Sequence, residues 1–253
     1  MRRITALVCG VLLGSAAPYA ARAEIPAAYE VETVPSAGAL FYPDAAGVAA
    51  RLGGPHFCSA SVLASPGHDL LATAAHCVLG PGALIEFAPL LHDAELPEGV
   101  WTVTAVYIDP AWRESFDPGH DLALLRVAPR DGRQIEEVVP GLPLATPRAG
   151  APVTVSGYPL GSRGRPLTCT APLEIAAGGS AIHCDGFGEG TSGGPWVQNG
   201  RLVGVIGGPE QGGCTPDVEY SSPFGTAAEA LLARASAGGA GDLAPLGFTA
   251  NRC

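Results

Sequence analysis

After residue 23 the apolar stretches of this chain are short, and turn-forming glycine, proline, serine and aspartate recur between them. Ala39 to Tyr42, Phe57 to Leu63, Leu70 to Ala74, Ala83 to Phe87, Trp101 to Asp109 and Asp121 to Val127 form one series. A polar, proline-bearing stretch from Ala128 to Gly150 separates it from a second: Val153 to Gly157, Leu167 to Thr170, Ala181 to Cys184, Trp196 to Val197 and Leu202 to Ile206. Runs of this length between turn residues are strands rather than helices. The chain therefore reads as all-β, the first series making one small barrel or sandwich and the second matching it in layout. A content of 35 Gly and 24 Pro in 253 residues suits many turns. One short helix is expected, Ala227 to Ala235, where strong helix formers follow Thr226-Ala-Ala-Glu229, a capping-box pattern. No repeat of fixed period is visible.

The first 23 residues are of another kind. Met1-Arg2-Arg3 is a basic start, Ile4 to Ala17 an apolar run too short to span a bilayer, and Ala21-Arg22-Ala23 a small-residue cleavage signal. The expectation is a signal peptide over 1–23 and a secreted, extracellular product. Of the seven cysteines, Cys9 leaves with the leader, so six remain: Cys58, Cys77, Cys169, Cys184, Cys214 and Cys253. An even set in an exported chain reads as disulfides. A zinc site is the weaker reading, because neither Cys-x-x-Cys nor His-x-x-x-His occurs.

Residues 24–36 have no clear period and read either as a short propeptide or as an N-terminal arm. The expected organisation continues with a first half over 37–145, a second half with the helix over 146–235, and a tail over 236–253. Ser236 to Gly241 is flexible in composition, and Cys253 is the only evident tether for the rest of the tail. All 14 basic residues are arginine, and removing Arg2, Arg3 and Arg22 leaves 11 against 24 acids, a formal charge of −13. Such a balance makes nucleic acid and anionic membranes poor partners.

Gly190-Thr191-Ser192-Gly193-Gly194-Pro195 surrounds a hydroxyl with residues that let backbone approach a substrate. Serine becomes a nucleophile only when a base takes its proton, and the oxyanion that develops needs fixed N–H donors. The segment also fits Gly-x-Ser-x-Gly, the nucleophile elbow of α/β-hydrolases, but there the acid and then the histidine follow the serine. Here His56, His68, His76, His92, His120 and His183 all precede Ser192, so the elbow reading fails. His76 is the candidate base: it ends the strand-like run Leu70-Leu-Ala-Thr-Ala-Ala and is followed by Cys77. The third member must be a buried carboxylate that orients the imidazole. Asp121 stands at the entry to Leu122-Ala-Leu-Leu125 and suits that place, whereas Asp109 and Asp117 precede prolines and read as turn residues.

His56-Phe-Cys58-Ser-Ala-Ser-Val-Leu63, Thr73-Ala-Ala-His76-Cys77, Asp121-Leu-Ala-Leu-Leu125 and Gly190-Thr-Ser192-Gly-Gly-Pro195 together resemble the chymotrypsin/trypsin family of serine peptidases, secreted bacterial members above all. The likeness covers roughly Gly38 to Ala235. It implies two perpendicular six-stranded β-barrels, the first bearing His76 and Asp121 and the second Ser192. It further implies an oxyanion hole from the N–H groups of Gly190 and Ser192, protein or peptide substrates, no cofactor or metal, and a monomer. A Cys58–Cys77 disulfide resembles the family bridge beside the base. Cys169 and Cys184, on successive candidate strands, are expected to pair, which leaves Cys214–Cys253 by elimination.

The sequence departs from the family at three places. Thr191 stands where animal members carry the Asp that pairs with a newly cut N-terminus. Gly207-Gly208-Pro209 replaces Ser-Trp-Gly. The position six before the serine, acidic in trypsin-like cleavage, is Gly186 in a gapless count. Asp185 would fill it with a one-residue insertion, and Asp217 or Glu219 would project from the opposite wall, so the specificity pocket stays open among Asp185, Gly186 and Asp217. His183 reads as a surface histidine. Three activities fit the constellation: peptide-bond hydrolysis, a binding module that has lost turnover, and ester hydrolysis by the same residues.

Overall fold

The first series folds as strands because its residues alternate between two buried faces. The computed structural model describes residues 24–42, 56–80, 85–161, 164–176, 178–213 and 215–246. The signal-peptide reading, and both Cys214 and Cys253, lie outside the described residues. In chain order β1 is Tyr29–Glu30, β2 Ala37–Phe41, β3 Cys58–Leu63, β4 Leu70–Thr73, β5 Glu86–Pro89, β6 Trp101–Ile108 and β7 Ala123–Val127. Strands β2 to β7 close into a barrel in the order β2-β3-β4-β7-β6-β5. β3 shows how the pattern works. Cys58, Ala60 and Val62 belong to the apolar core, while the alternate Ser59 and Ser61 are equally buried on the opposite face. On β6 the alternation of buried Trp101 and Val103 with exposed Thr102 and Thr104 gives way to burial of Val106, Tyr107 and Ile108. There the chain near Asp242 lies alongside and donates its N–H to the Val106 carbonyl.

The second half carries β8 Pro152–Gly157, β9 Leu167–Pro172, β10 Glu174–Ala176, β11 Gly179–His183, β12 Pro195–Gln198, β13 Arg201–Val205 and β14 Val218–Ser221. They form a five-stranded sheet, β1-β9-β8-β12-β13, and a three-stranded sheet, β10-β11-β14. Val153, Val155, Ile182, Trp196, Val203 and Ile206 lie in the core of this half. A disulfide from Cys169 to Cys184 ties β9 to the end of β11. The segment before residue 37 adds an edge to this half: β1 pairs with β9, and Ala28 N–H donates to the Asp185 carbonyl.

A short helix, α1 at Pro110–Ser115, was not expected from the sequence; Asp109 caps it by accepting from the Ala111 N–H. The C-terminal helix α2 spans Thr226–Ala237 and buries Ala228, Leu231 and Ala235 against the core of the first barrel, residues spaced to share one face. The capping box does not form. Gly225 is the N-cap, Thr226 is already the first helical residue, and no side chain caps the end. The tail expectation is corrected too, because residues well short of Cys253 are held. The Asp242 carboxylate accepts from Arg113, Arg234 and the Ile108 N–H, and Ala244 N–H donates to the Gly80 carbonyl. Among the described residues no helix is long and apolar enough to cross a membrane.

Candidate active site

Strand pairing brings His76 and Asp121 together. The last residue of β4, Thr73, lies opposite the first of β7, Ala123, so residues just after β4 and just before β7 leave the barrel at one edge. His76 sits in a 3-10 turn, Ala75–Cys77, and Asp121 caps another, Pro118–His120. A disulfide joins Cys77 to Cys58 and so fixes the backbone next to His76. The His76 backbone N–H donates to Asp121 Oδ1 at 2.8 Å, and its Nδ1 lies 2.7 Å from Oδ2. Asp121 has no solvent exposure, and Gly208 N–H supplies a third bond, 2.8 Å to Oδ2. Three donors compensate the lost hydration of an ionised carboxylate. A carboxylate this close to Nδ1 favours the imidazole tautomer that carries its proton there. The glycine at 207 serves this contact, since a Cβ there would lie 2.9 Å from Asp121 Oδ2.

The Ser192 turn is built from its own backbone and one side chain. Thr191 Oγ1 donates to the Gly188 carbonyl at 2.6 Å, and Gly194 N–H to the Thr191 carbonyl at 2.9 Å. Gly190 (φ 90°) and Gly193 (φ 79°) take the left-handed conformations that favour glycine. Across the boundary between the halves, Ser59 N–H donates to the Ser192 carbonyl at 2.7 Å. Thr73, which precedes His76 by three residues, donates its hydroxyl to the Ser59 carbonyl. The N–H groups of Gly190 and Ser192 have no acceptor among the described residues.

The pocket candidates fall along one ladder. Cys184 N–H donates to the Asp217 carbonyl and Gly186 N–H to that of Pro216, so Asp185, Gly186 and Asp217 are brought together. Asp185 and Gly186 are exposed and Asp217 is half-buried. The buried acid of this region is Glu219, on β14, with its Oε2 near Gly212. Burial pushes its carboxyl up to about 8. His183 is exposed, across from Glu174. Asp109 caps α1, and Asp117 caps the 3-10 turn Pro118–His120. Two site features have no signature in residue type: the Gly208 N–H, which is backbone, and the bonds of Ser59. His56 is also buried; desolvation holds its pKa below the usual histidine value despite a bond from Nε2 to the Tyr158 carbonyl. Cys58, His76 and Cys77 are close enough to hold a metal ion, but both sulfurs are committed to the disulfide.

A closed six-stranded barrel, a second β half and a His–Asp pair at the edge between them define a chymotrypsin-like serine endopeptidase. The chain belongs to the trypsin-like peptidase family, whose domain model matches residues 58–205. Among solved structures it is similar to the protease Anisep from Arthrobacter nicotinovorans, at 22% identity and a TM-score of 0.68, over 83% of this chain and 99% of that one. It is also similar to the thermostable serine protease AL20 from an extremophilic microorganism, at 25% identity and a TM-score of 0.67, over 81% of this chain and 98% of that one. Human heparin binding protein has the same fold, at 17% identity and a TM-score of 0.63, over 86% of this chain and 100% of that one. No curated protein matches the chain in sequence at a significant level.

Proposed function

We propose that Ser192, His76 and Asp121 form a catalytic triad that hydrolyses internal peptide bonds of protein or peptide substrates, outside the cell and through an acyl-enzyme. The observation that carries this reading is the fully buried Asp121 carboxylate, which accepts both N–H groups of His76 at an edge bonded to the Ser192 turn. Ser192 Oγ attacks the carbonyl carbon as His76 Nε2 takes its proton, and the oxyanion receives the N–H groups of Gly190 and Ser192. Collapse of the tetrahedral intermediate expels the amine, which takes the proton from His76. Water then repeats the sequence on the acyl-enzyme. Asp121 orients the imidazole and stabilises the imidazolium.

The leader over 1–23 supports export, and the disulfides suit an oxidising compartment. In this reading 24–36 is a retained arm rather than a propeptide, because its strand extends the sheet of the second half. The halves divide near residue 145, the enzyme is a monomer without cofactor, and Asp185, Gly186 and Asp217 border the specificity pocket. The pairing Cys214–Cys253 belongs to this reading, and non-reducing peptide mapping would overturn it by finding Cys184 joined to Cys214.

The test of the activity is labelling of the purified mature protein with a fluorophosphonate, with the modified residue mapped by peptide sequencing. Ser192 is expected to carry the label, and Ser192→Ala to lose it together with peptide hydrolysis by on the order of 10⁴ or more. Label at another serine would sink the assignment. Digestion of a mixed peptide library, with sequencing of the new ends, separates peptidase from esterase and from a binding protein without turnover.

A further inference from the structure

Every polar atom of Ser59 is engaged, and most of its bonds cross from the first barrel to the second half. Its N–H donates to the Ser192 carbonyl at 2.7 Å, its Oγ–H to the Gly190 carbonyl at 3.0 Å, and its Oγ accepts the Tyr158 N–H at 2.8 Å. Its own carbonyl accepts the Thr73 hydroxyl at 2.8 Å. The side chain is fully buried. Ser192 and Gly190 are the two residues whose N–H groups are assigned to the oxyanion, so one side chain and its backbone hold the carbonyls of both.

An oxyanion hole accelerates a reaction only if its donors are aimed beforehand. Gly190 has no side chain to restrict it and lies at φ 90°, so its orientation must come from its neighbours. Two bonds supply it. Leu160 N–H donates to the Glu189 carbonyl at 2.8 Å, and because a trans peptide places N–H opposite C=O, the Gly190 N–H is turned away from Leu160. The Ser59 hydroxyl fixes the next peptide plane through the Gly190 carbonyl. It also holds Tyr158, two residues before Leu160, so both restraints depend on it.

We propose that Ser59 is a positioning residue for the oxyanion hole, its hydroxyl fixing the Gly190–Thr191 peptide through the Gly190 carbonyl and supporting, through Tyr158, the neighbouring Leu160 bond that turns the Gly190 N–H toward the reacting carbonyl. The proposal rests on the peptidase reading above. Ser59→Ala removes the Oγ bonds and leaves the backbone bond to Ser192 intact. Its kcat is expected to fall roughly 10- to 100-fold with KM nearly unchanged, a smaller loss than deletion of an oxyanion donor itself. Affinity for a peptide boronate, which forms a tetrahedral adduct on the serine, should weaken by about the factor lost in kcat/KM. Ser61→Ala is the matched control. Ser61 lies on the same strand and face, and its buried hydroxyl has no partner among the described residues, so its removal should leave kcat within about twofold of wild type.

If Ser59→Ala keeps wild-type kcat, or loses activity through KM alone with boronate affinity intact, the proposal is overturned. Should that variant not fold, Ser59→Cys, which retains a weak donor of similar size, is measured in its place and must show a kcat loss of the same kind. Wild-type protein that takes no fluorophosphonate at Ser192 would instead refute the peptidase reading, a result distinct from any outcome of the Ser59 kinetics.

Discussion

Asp121 and Glu219 are both buried carboxylates, and their surroundings set them apart. Asp121 meets three donors; Glu219 has none among the described residues, and burial alone raises its pKa to about 8. Asp121→Asn keeps the shape but offers an amide that favours the wrong imidazole tautomer. It is expected to cost on the order of 10⁴ in turnover near neutral pH, with circular dichroism unchanged. Asp117→Asn alters only a turn cap and should leave turnover near wild type; the reverse outcome would transfer the role to Asp117. For Glu219 the folded pKa lies above the unfolded one, so its contribution to stability is fully present below the ordinary carboxylate range and is lost as pH rises through about 8. Glu219→Gln should therefore gain on wild type as pH rises, by a few kcal/mol at most above pH about 8, in denaturant melts. A difference between the two proteins that does not change with pH would contradict this. The sequence reveals His76 and Asp121 because each stands at the end of an apolar run. It conceals the Ser59 and Gly208 contacts, since a backbone N–H has no residue type and a serine within a strand looks like an ordinary strand residue.

The C-terminal segment shows the same limit for whole elements. Helix α2 is legible from its alanine and leucine content, yet its start is not the one the capping pattern implies, because Thr226 has already turned into the helix behind Gly225. The tail is held by charges that come from distant parts of the chain. Arg113 follows β6, Arg234 lies in α2, and both reach Asp242, whose carboxylate also accepts the Ile108 N–H. No periodicity or motif links these residues, so composition suggests only a loose tail. Burial of Asp242 works against its charge, but the bonds from Arg234 and Ile108 and the charges of Arg234 and Arg113 outweigh it and hold the carboxyl below its usual range. The contribution of such a group is present above the unfolded carboxylate pKa and is lost as pH falls through the folded value. Asp242→Ala is expected to destabilise the protein by about 2 kcal/mol at neutral pH, and by progressively less below pH about 4. Equal melting curves for the two proteins at neutral pH would show that the tail is not held in this way.

At the scale of the whole molecule, the two-part β layout is legible in the sequence because the strand-length apolar runs divide into two groups. The short strands β1, β10 and β14 are not, and β14 shows why: its buried positions are Glu219 and Ser221, so it never forms an apolar run. The candidate site depends on how the halves meet, since His76 and Asp121 leave the first barrel while Ser192 belongs to the second half. Gly193 lies at that junction. A Cβ there would stand 2.1 Å from Thr73 Oγ1 and 2.3 Å from the Ser59 carbonyl oxygen, at a φ of 79°. Gly200, in the turn between β12 and β13, has a similar φ of 71° but nothing within 4 Å of the added carbon. Alanine at both positions carries comparable backbone strain, of the order of 1 kcal/mol, and only at Gly193 does it also push the halves apart. Gly200→Ala should thus label with fluorophosphonate as wild type does, with a small loss of stability. Gly193→Ala should lose roughly 3 kcal/mol or more and most of its labelling rate, because steric overlap with strand backbone cannot be relieved by a rotamer change. Indistinguishable labelling rates and melting curves for the two variants would mean that the contact between Gly193 and the β3–β4 edge does not govern assembly of the site.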